Sequence, residues 1–403
     1  MKILIITQVF WPDTASTAQH LGDIAELLAS NDHKVSVFTS RFSYEDTSLA
    51  FSTHENHKGI EIRRLRNTSF GKSSMIGRLA DFFSFNFLIL FQLLKVKRGE
   101  YDLFLGMTSP PLISYIGVTI AKWKKIKFCY WTMDLQPELS IASGLIGEKS
   151  ITAKTLSMLG NYTIRKSDKI IALDKYMATY LVKKGALAEN IYIIPVWPVM
   201  DHIYTGSRME NPFRIENQFE DKTVIMYSGN HAFVHPLNTL LEAALLLQND
   251  PRFLFVFIGG GVRKKDVADF KQQHALANII QLPYQPRNNI HNSLGSSDIQ
   301  TVILGENQVS FTHPNKIYGS MYIGKPILYI GPRPSHISDI IDLLPGNLEV
   351  LHGEAQKLTE QLLGFIDLPE AAKLEIGERN REYAMRRFHP TVLKEKMQEI
   401  LIT

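Results

Sequence analysis

Short apolar, β-branched runs alternate along this chain with segments whose apolar residues recur every three to four positions, the rhythm of parallel strands joined by amphipathic helices. The run KILIIT opens the chain. Residues 18–31 then place Leu21, Ile24, Ala25, Leu27 and Leu28 on one helical stripe before the run KVSVFTS, so the chain begins strand, helix, strand. Further strands are predicted at 60–64, 101–105, 127–131, 169–172 and 190–194, with helical stretches between them. From Pro195 to Pro212 the rhythm is broken by prolines, Asp201, Gly206 and Asn211, which predicts a linker. A second half then starts afresh, with strands in TVIMYSG, RFLFVFIGG, NIIQLPY, DIQTVIL and PILYIG. Residues 371–401 are helical in period apart from a break at Pro390, and their length predicts a return to brace the first half.

At 403 residues the chain exceeds what one core accommodates. The expected architecture is α/β with two Rossmann-like domains and a cleft between them, at 1–198 and 199–375. A helical segment, 376–403, is expected to pack on the first domain. Hydrophobic residues at 45% and charged residues at 21% argue against long disordered or low-complexity tracts. The one cysteine, Cys129, lies in an apolar run and reads as core, so no disulfide framework forms within the chain and a reducing compartment is expected. A net charge of +4 argues against general nucleic-acid binding. Without a secretory signal ahead of the first strand, a cytoplasmic location is expected, at the inner face of the cytoplasmic membrane.

The longest apolar stretch, FFSFNFLILFQLL at 82–94, follows Arg78 and precedes Lys95, Lys97 and Arg98. It is shorter than the roughly 20 residues a spanning helix needs, and it carries Ser84, Asn86 and Gln92. Two readings stand: a buried core helix, or a helix lying in the membrane interface. The second is helped by Arg63, Arg64, Arg66 and Lys72 upstream, giving an expected peripheral membrane contact through 63–98.

In open α/β sheets ligands bind beyond the carboxyl ends of the strands, so the loops there carry the candidate chemistry. After FLFVFI, Gly259, Gly260 and Gly261 precede Arg263, Lys264 and Lys265 at a predicted helix start, an arrangement suited to a diphosphate. After DIQTVIL, Lys316 falls in the first turn of a helix behind Pro314, where a cation makes sense if an anion shares the site. After TVIMYSG, the loop carries Asn230, His231 and His235, whose backbone and imidazoles are candidate phosphate donors. The loop with Pro283 and Tyr284 offers backbone groups to a nucleobase. In the first half, the loop PDTASTAQHLGD presents Ala15, Ser16, Thr17 and Ala18 ahead of His20, small enough for a bulky ligand to approach. The strand KFCYW leads to Asp134 and Glu138. Asp134 is the favoured group for sugar hydroxyls or developing positive charge, whereas Glu138 also reads as a first-turn helix acid.

Several segments, in order, resemble one family: PDTASTAQH, SPPL at 109–112, WTMDLQPE, KSDKIIALDKYMATYLVKKG, IIPVWP, YSGNHAFVHPLNTLLEA, FIGGGVRKK and HPNKIYGSMYIGKP. The chain is similar to the retaining glycosyltransferases of family four with the GT-B fold, in the branch that builds capsules, O-antigens and exopolysaccharides. The resemblance implies a nucleotide-sugar donor, a UDP-sugar, held by the second half through Asn230, His231, Gly260, Arg263 and Lys316. It implies nucleoside contacts at Pro283, Tyr284 and Gly319, and sugar or acceptor contacts at Ala15, Ser16, Thr17 and His313. Asp134, His20 and Glu138 would serve the reaction. The acceptor would be polyprenyl-linked or a saccharide, and neither a metal nor a resident cofactor is expected. Two features depart from the family pattern: Phe311 and Gly319 stand where it carries glutamates, so ribose binding must differ, and Ala15 and Ser16 stand where it carries a pair of glycines, each still small enough for close approach. A nonhydrolysing UDP-sugar epimerase and a non-catalytic nucleotide-sugar-binding subunit are the alternatives. A nicotinamide dehydrogenase is disfavoured because no complete GxGxxG follows the first strand.

Overall fold

The computed structural model describes residues 1–13, 15–43, 48–71, 75–200, 202–204 and 206–403, with the backbone alone at Met75 and Arg78. Thr14 of the small-residue loop, Lys72 of the basic segment, Asp201 of the linker and the Arg78 side chain lie outside the described residues. The chain divides into two compact units. The first comprises Met1–Val196, Ser310–His313 and Thr391–Thr403; the second comprises Trp197–Val309 and Pro314–Pro390.

Eight strands build the first unit's sheet: β1 (Lys2–Ile6), β2 (Lys34–Ser40), β3 (His54–His57), β4 (Ile60–Leu65), β5 (Leu103–Met107), β6 (Lys127–Trp131), β7 (Lys169–Ala172) and β8 (Ile191–Ile193). Their order is β3-β4-β2-β1-β5-β6-β7-β8, parallel except for β3 against β4. Helices α1 (Ser16–Ser30), α2 (Met75–Lys95) and α3 (Ile113–Lys124) connect the earlier strands. The order reverses between β1 and β5, so the start of α1 at Ala15–Thr17 and the loop after β5 flank a topological switch point. The strand β3, HENH, is an addition to the expected set; it has no apolar side chain and is held by its hairpin partner.

The second unit has six strands, all parallel: β9 (Thr223–Ser228), β10 (Phe253–Ile258), β11 (Ile279–Leu282), β12 (Ile299–Ile303), β13 (Ile327–Ile330) and β14 (Leu348–Val350). Their order, β11-β10-β9-β12-β13-β14, is that of a Rossmann sheet, with the switch point between β9 and β12. All six residues of β10 are buried. Parallel strands covered by helices on both faces read as continuous apolar runs, which is why FLFVFI does not alternate. Tyr227, Phe255, Phe257 and Ile303 pack with Leu240 and Leu358 in one core cluster.

The C-terminal segment expected at 376–403 divides near Pro390 instead of leaving as one piece. The helix Glu370–Arg387 stays in the second unit, where Tyr318 and Phe388 meet at 4.7 Å and Asn380 Nδ2 donates to the Lys325 carbonyl at 2.8 Å. Only the chain from Thr391 joins the first unit, where Lys169 Nζ donates to the Ile400 carbonyl at 2.5 Å and Asn31 to Gln398 at 2.8 Å. Gly377 explains the close packing of the earlier helix: a Cβ there would stand 2.2 Å from the Gly324 carbonyl oxygen. Alanine in a helix interior otherwise gains about 1 kcal/mol over glycine. We predict that Gly377→Ala nevertheless lowers stability by about 1–3 kcal/mol in urea unfolding, because backbone atoms must shift; an unchanged midpoint would show that the helix yields freely.

Candidate functional site

The loops beyond β9, β10 and β11 and the helix Lys316–Tyr322 converge at the second unit's switch point. Glycine makes the convergence possible. Gly261 has φ +118°, and a Cβ there would meet Asn230 Oδ1 at 2.2 Å; a Cβ at Gly229, φ +125°, would stand 2.8 Å from Lys316 Cε. Backbone bonds then lock the two loops: His231 N–H donates to the Gly260 carbonyl at 2.6 Å, and Arg263 N–H to the His231 carbonyl at 2.9 Å. Tyr284 covers the turn from outside, its ring against Gly260 and its hydroxyl 3.4 Å from the Gly260 carbonyl. The N–H groups of Gly229 and Gly259 are committed to the sheet.

Into this cradle comes Lys316. It is half-buried, with its ammonium 4.8 Å from the centre of the Tyr227 ring and no carboxylate partner among the described residues. Burial pushes its pKa down to about 8. Arg263 lies over Phe233 at 5.8 Å and pairs through Nη1 with Asp266 at 3.1 Å, while its buried Nε has no partner among the described residues. Lys316 and Arg263 both act electrostatically on His235, which places the two cations near one imidazole.

The histidines play a different part from the one expected. His231 is buried, its Nδ1 donates to the Gly260 carbonyl at 3.0 Å, and desolvation holds its pKa at about 4. Neutral in that tautomer, it shows a lone pair at Nε2 and fastens the two loops together; it cannot donate to an ionised phosphate without a second proton. His235 is buried as well, bonded to the Ile303 carbonyl, with its pKa held well below the usual value by desolvation and by Lys316.

Of the remaining expected residues in the second unit, Pro283 is exposed, and Gly319 sits within the helix Lys316–Tyr322. A Cβ at Gly319 would touch only Leu294, at 3.9 Å, so nothing structural requires glycine there. Tyr227 was not singled out from the sequence. It reads as one more core residue of β9, and only the fold puts its ring beneath Lys316.

In the first unit, Asp134 follows β6 and is exposed. Thr312 Oγ1 donates to its Oδ1 at 2.5 Å. His313 is buried with Nδ1 2.7 Å from Asp174 Oδ2, and Asp174 caps the helix Lys175–Lys183 through the Met177 N–H. Leu135 N–H donates to the Phe311 carbonyl at 2.7 Å, while the Phe311 ring stands edge-on to Tyr180 at 5.0 Å. The segment 311–313 is thus anchored to the first unit at three consecutive residues. Glu138 opens the short helix Glu138–Ala142 and is taken up by Tyr180, whose hydroxyl donates at 2.9 Å, and by Lys184 at 3.1 Å. Those bonds account for it structurally. Ala15 precedes α1 and Ser16 and Thr17 begin it; within the helix, buried His20 donates from Nδ1 to the Ser16 carbonyl at 2.7 Å.

No family model matches the sequence. The chain is 22% identical over 361 residues to WcaI of Escherichia coli K12, provisionally assigned as a glycosyl transferase of colanic acid biosynthesis, covering 86% of this chain and 87% of that protein. It is 24% identical over 248 residues to WbjE of Pseudomonas aeruginosa, provisionally assigned as a glycosyltransferase, covering 62% of this chain and 61% of the relative. Among solved structures, HepE of Anabaena in complex with UDP-glucose superposes with a TM-score of 0.74 at 16% identity, over 100% of this chain and 99% of that one. The fold is that of the GT-B glycosyltransferases, as the resemblance led us to expect.

The depressed pKa of Lys316 gives a pH test. Its folded value of about 8 lies below the ordinary 10.5, so the unfolded chain binds the proton more tightly between these values. This group therefore costs stability below about pH 8, and the cost is relieved as pH rises through that window. A diphosphate beside the ammonium favours the charged form. Binding of UDP, whose phosphates are already fully ionised there, near pH ~8.5 should take up a proton and weaken as pH rises. Calorimetry in two buffers of different ionisation enthalpy measures the uptake, which Lys316→Met should abolish; no uptake by the unaltered protein would place the anion elsewhere.

Proposed function

We propose that this protein is a retaining glycosyltransferase of family four that moves a sugar from a UDP-sugar to a lipid-linked or saccharide acceptor in surface polysaccharide biosynthesis. The observation that carries the reading is the half-buried Lys316 ammonium at the Rossmann switch point, without a carboxylate partner among the described residues, facing a glycine-lined turn beside Arg263. An unbalanced cation in such a place fits an anionic ligand. The relatives narrow the anion: HepE holds UDP-glucose in its crystal structure, and WcaI is assigned to a polysaccharide pathway.

In this reading Lys316, Arg263 and the backbone around Asn230 and Gly260 neutralise the departing diphosphate in place of a metal ion, and Tyr284 and Pro283 border the nucleoside. Charge develops on the leaving phosphate oxygen as the glycosidic bond breaks, and that oxygen takes the acceptor's proton on the same face of the sugar. The anomeric configuration is kept. Asp134, held by Thr312, accepts hydrogen bonds from sugar hydroxyls. His20 and the small residues Ala15, Ser16 and Thr17 line the approach for sugar or acceptor, and the acceptor's lipid tail accounts for a peripheral membrane contact.

Lys316→Ala and Arg263→Ala should each lower kcat/KM for the UDP-sugar about 10- to 100-fold and reduce the rise in melting temperature that UDP produces. Unchanged kinetics and melting in both variants would refute the site. Conversion of a UDP-sugar to its epimer without any acceptor would replace transfer by epimerisation.

A further inference from the structure

The helix α2 has two apolar faces. Phe85, Ile89 and Leu93 are fully buried, as a core helix requires. Ile76, Leu79, Phe83, Phe87, Phe91 and Leu94 point the other way and are exposed, Phe83 at 61% and Phe87 at 60%. At 100° per residue these six side chains fall within an arc of about 120°, and they run for roughly 27 Å along the helix. Among the described residues of α2, Lys95 is the one other exposed side chain. A helix facing water carries polar residues on its outer arc, and a continuous exposed apolar stripe marks an interaction surface. No helix among the described residues is long and apolar enough to cross a membrane.

The charge around the stripe selects the partner. Its C-terminal end runs into exposed Lys95, Lys97, Arg98 and Lys125. Trp123, 59% exposed at the end of α3, is fixed beside it: Lys124 Nζ donates to the Leu94 carbonyl at 3.0 Å and lies 4.7 Å from the Trp123 ring centre, and Arg98 donates to the Trp123 carbonyl at 3.2 Å. The nearby carboxylates are engaged by backbone N–H groups, Asp81 by those of Phe70 and Gly71, and the exposed Glu100 by that of Lys97, which leaves cations in the majority along the rim. Phenylalanines on one arc, a tryptophan at the margin and a basic rim are the chemistry of a helix lying in the headgroup region of an anionic bilayer.

We propose that the outer face of α2, with Trp123 and the basic rim at 95–98, docks the first unit onto an anionic phospholipid membrane. The proposal resolves the two readings of the 82–94 stretch, since one helix serves core and interface with opposite faces. Its purpose rests on the lipid-linked acceptor proposed above, but the contact itself can be measured without any transfer reaction.

Co-sedimentation of the full chain with phosphatidylcholine vesicles containing about one third phosphatidylglycerol tests it. The unaltered protein should partition onto them at low salt, and less onto pure phosphatidylcholine. Phe83→Ser/Phe87→Ser/Phe91→Ser should lower the partition coefficient at least about tenfold, and Lys95→Glu/Lys97→Glu/Arg98→Glu should abolish the preference for anionic vesicles. The melting shift with UDP, unchanged in both variants, would show that the fold is kept. Absence of vesicle binding by the unaltered protein, equal binding by the triple serine variant, or a dimer that these serines dissociate without any lipid binding would overturn the proposal. Vesicle binding without a UDP shift would count against the transfer reading alone.

Discussion

A single ammonium group organises the second unit's loops. Among the described residues no carboxylate pairs with Lys316; its four-carbon stem lies against Gly229 and its charge over the Tyr227 ring. A side chain at 229 would push it away, and a straight run in place of the Gly259–Gly261 turn would leave no room for Asn230 and His231. The interlocking of two loops by His231 fixes where Arg263 begins. The cost of desolvating a lysine beside neutral imidazoles is thus tied to a backbone shaped around it. Such a cost is relieved when an anion arrives, which links stability of the unit to ligand binding.

Most of the fold was legible because parallel strands under two layers of helix must be apolar throughout, as in KILII and FLFVFI. What escaped lacked that signal. The strand β3 is polar and depends on its neighbour, and β14 is three residues long. The glycine turn and Lys316 could be picked out one by one, since glycine clusters and a lysine at a helix start are local features. Their meeting is not local: Gly229 and Lys316 are brought together only by the order of β9 and β12.

Side chains with two plausible roles were the hardest to read. Glu138 is a carboxylate close to a sheet end, but its partners Tyr180 and Lys184 come from a different helix and its vicinity. His231 has the right position for a phosphate donor, yet its one proton is spent on a carbonyl of the neighbouring loop. Phe311, where the resembling family carries a glutamate, keeps a place through its backbone bond to Leu135 and its ring contact with Tyr180. In each case the deciding partner is remote in sequence, and no periodicity points to it.

The first unit is assembled from three stretches of chain, and this restricts how the protein can be divided or recombined. A fragment ending at residue 196 would lose Thr312 from Asp134, His313 from the capping residue Asp174, and the terminal helix from Lys169. A chimaera made by a single crossover at the linker, with a foreign second half, would keep those contacts only if the donor supplied equivalents of two short sequences, one just ahead of its own lysine and one at its end. Exchange of halves during evolution is therefore constrained by a handful of residues far from the junction.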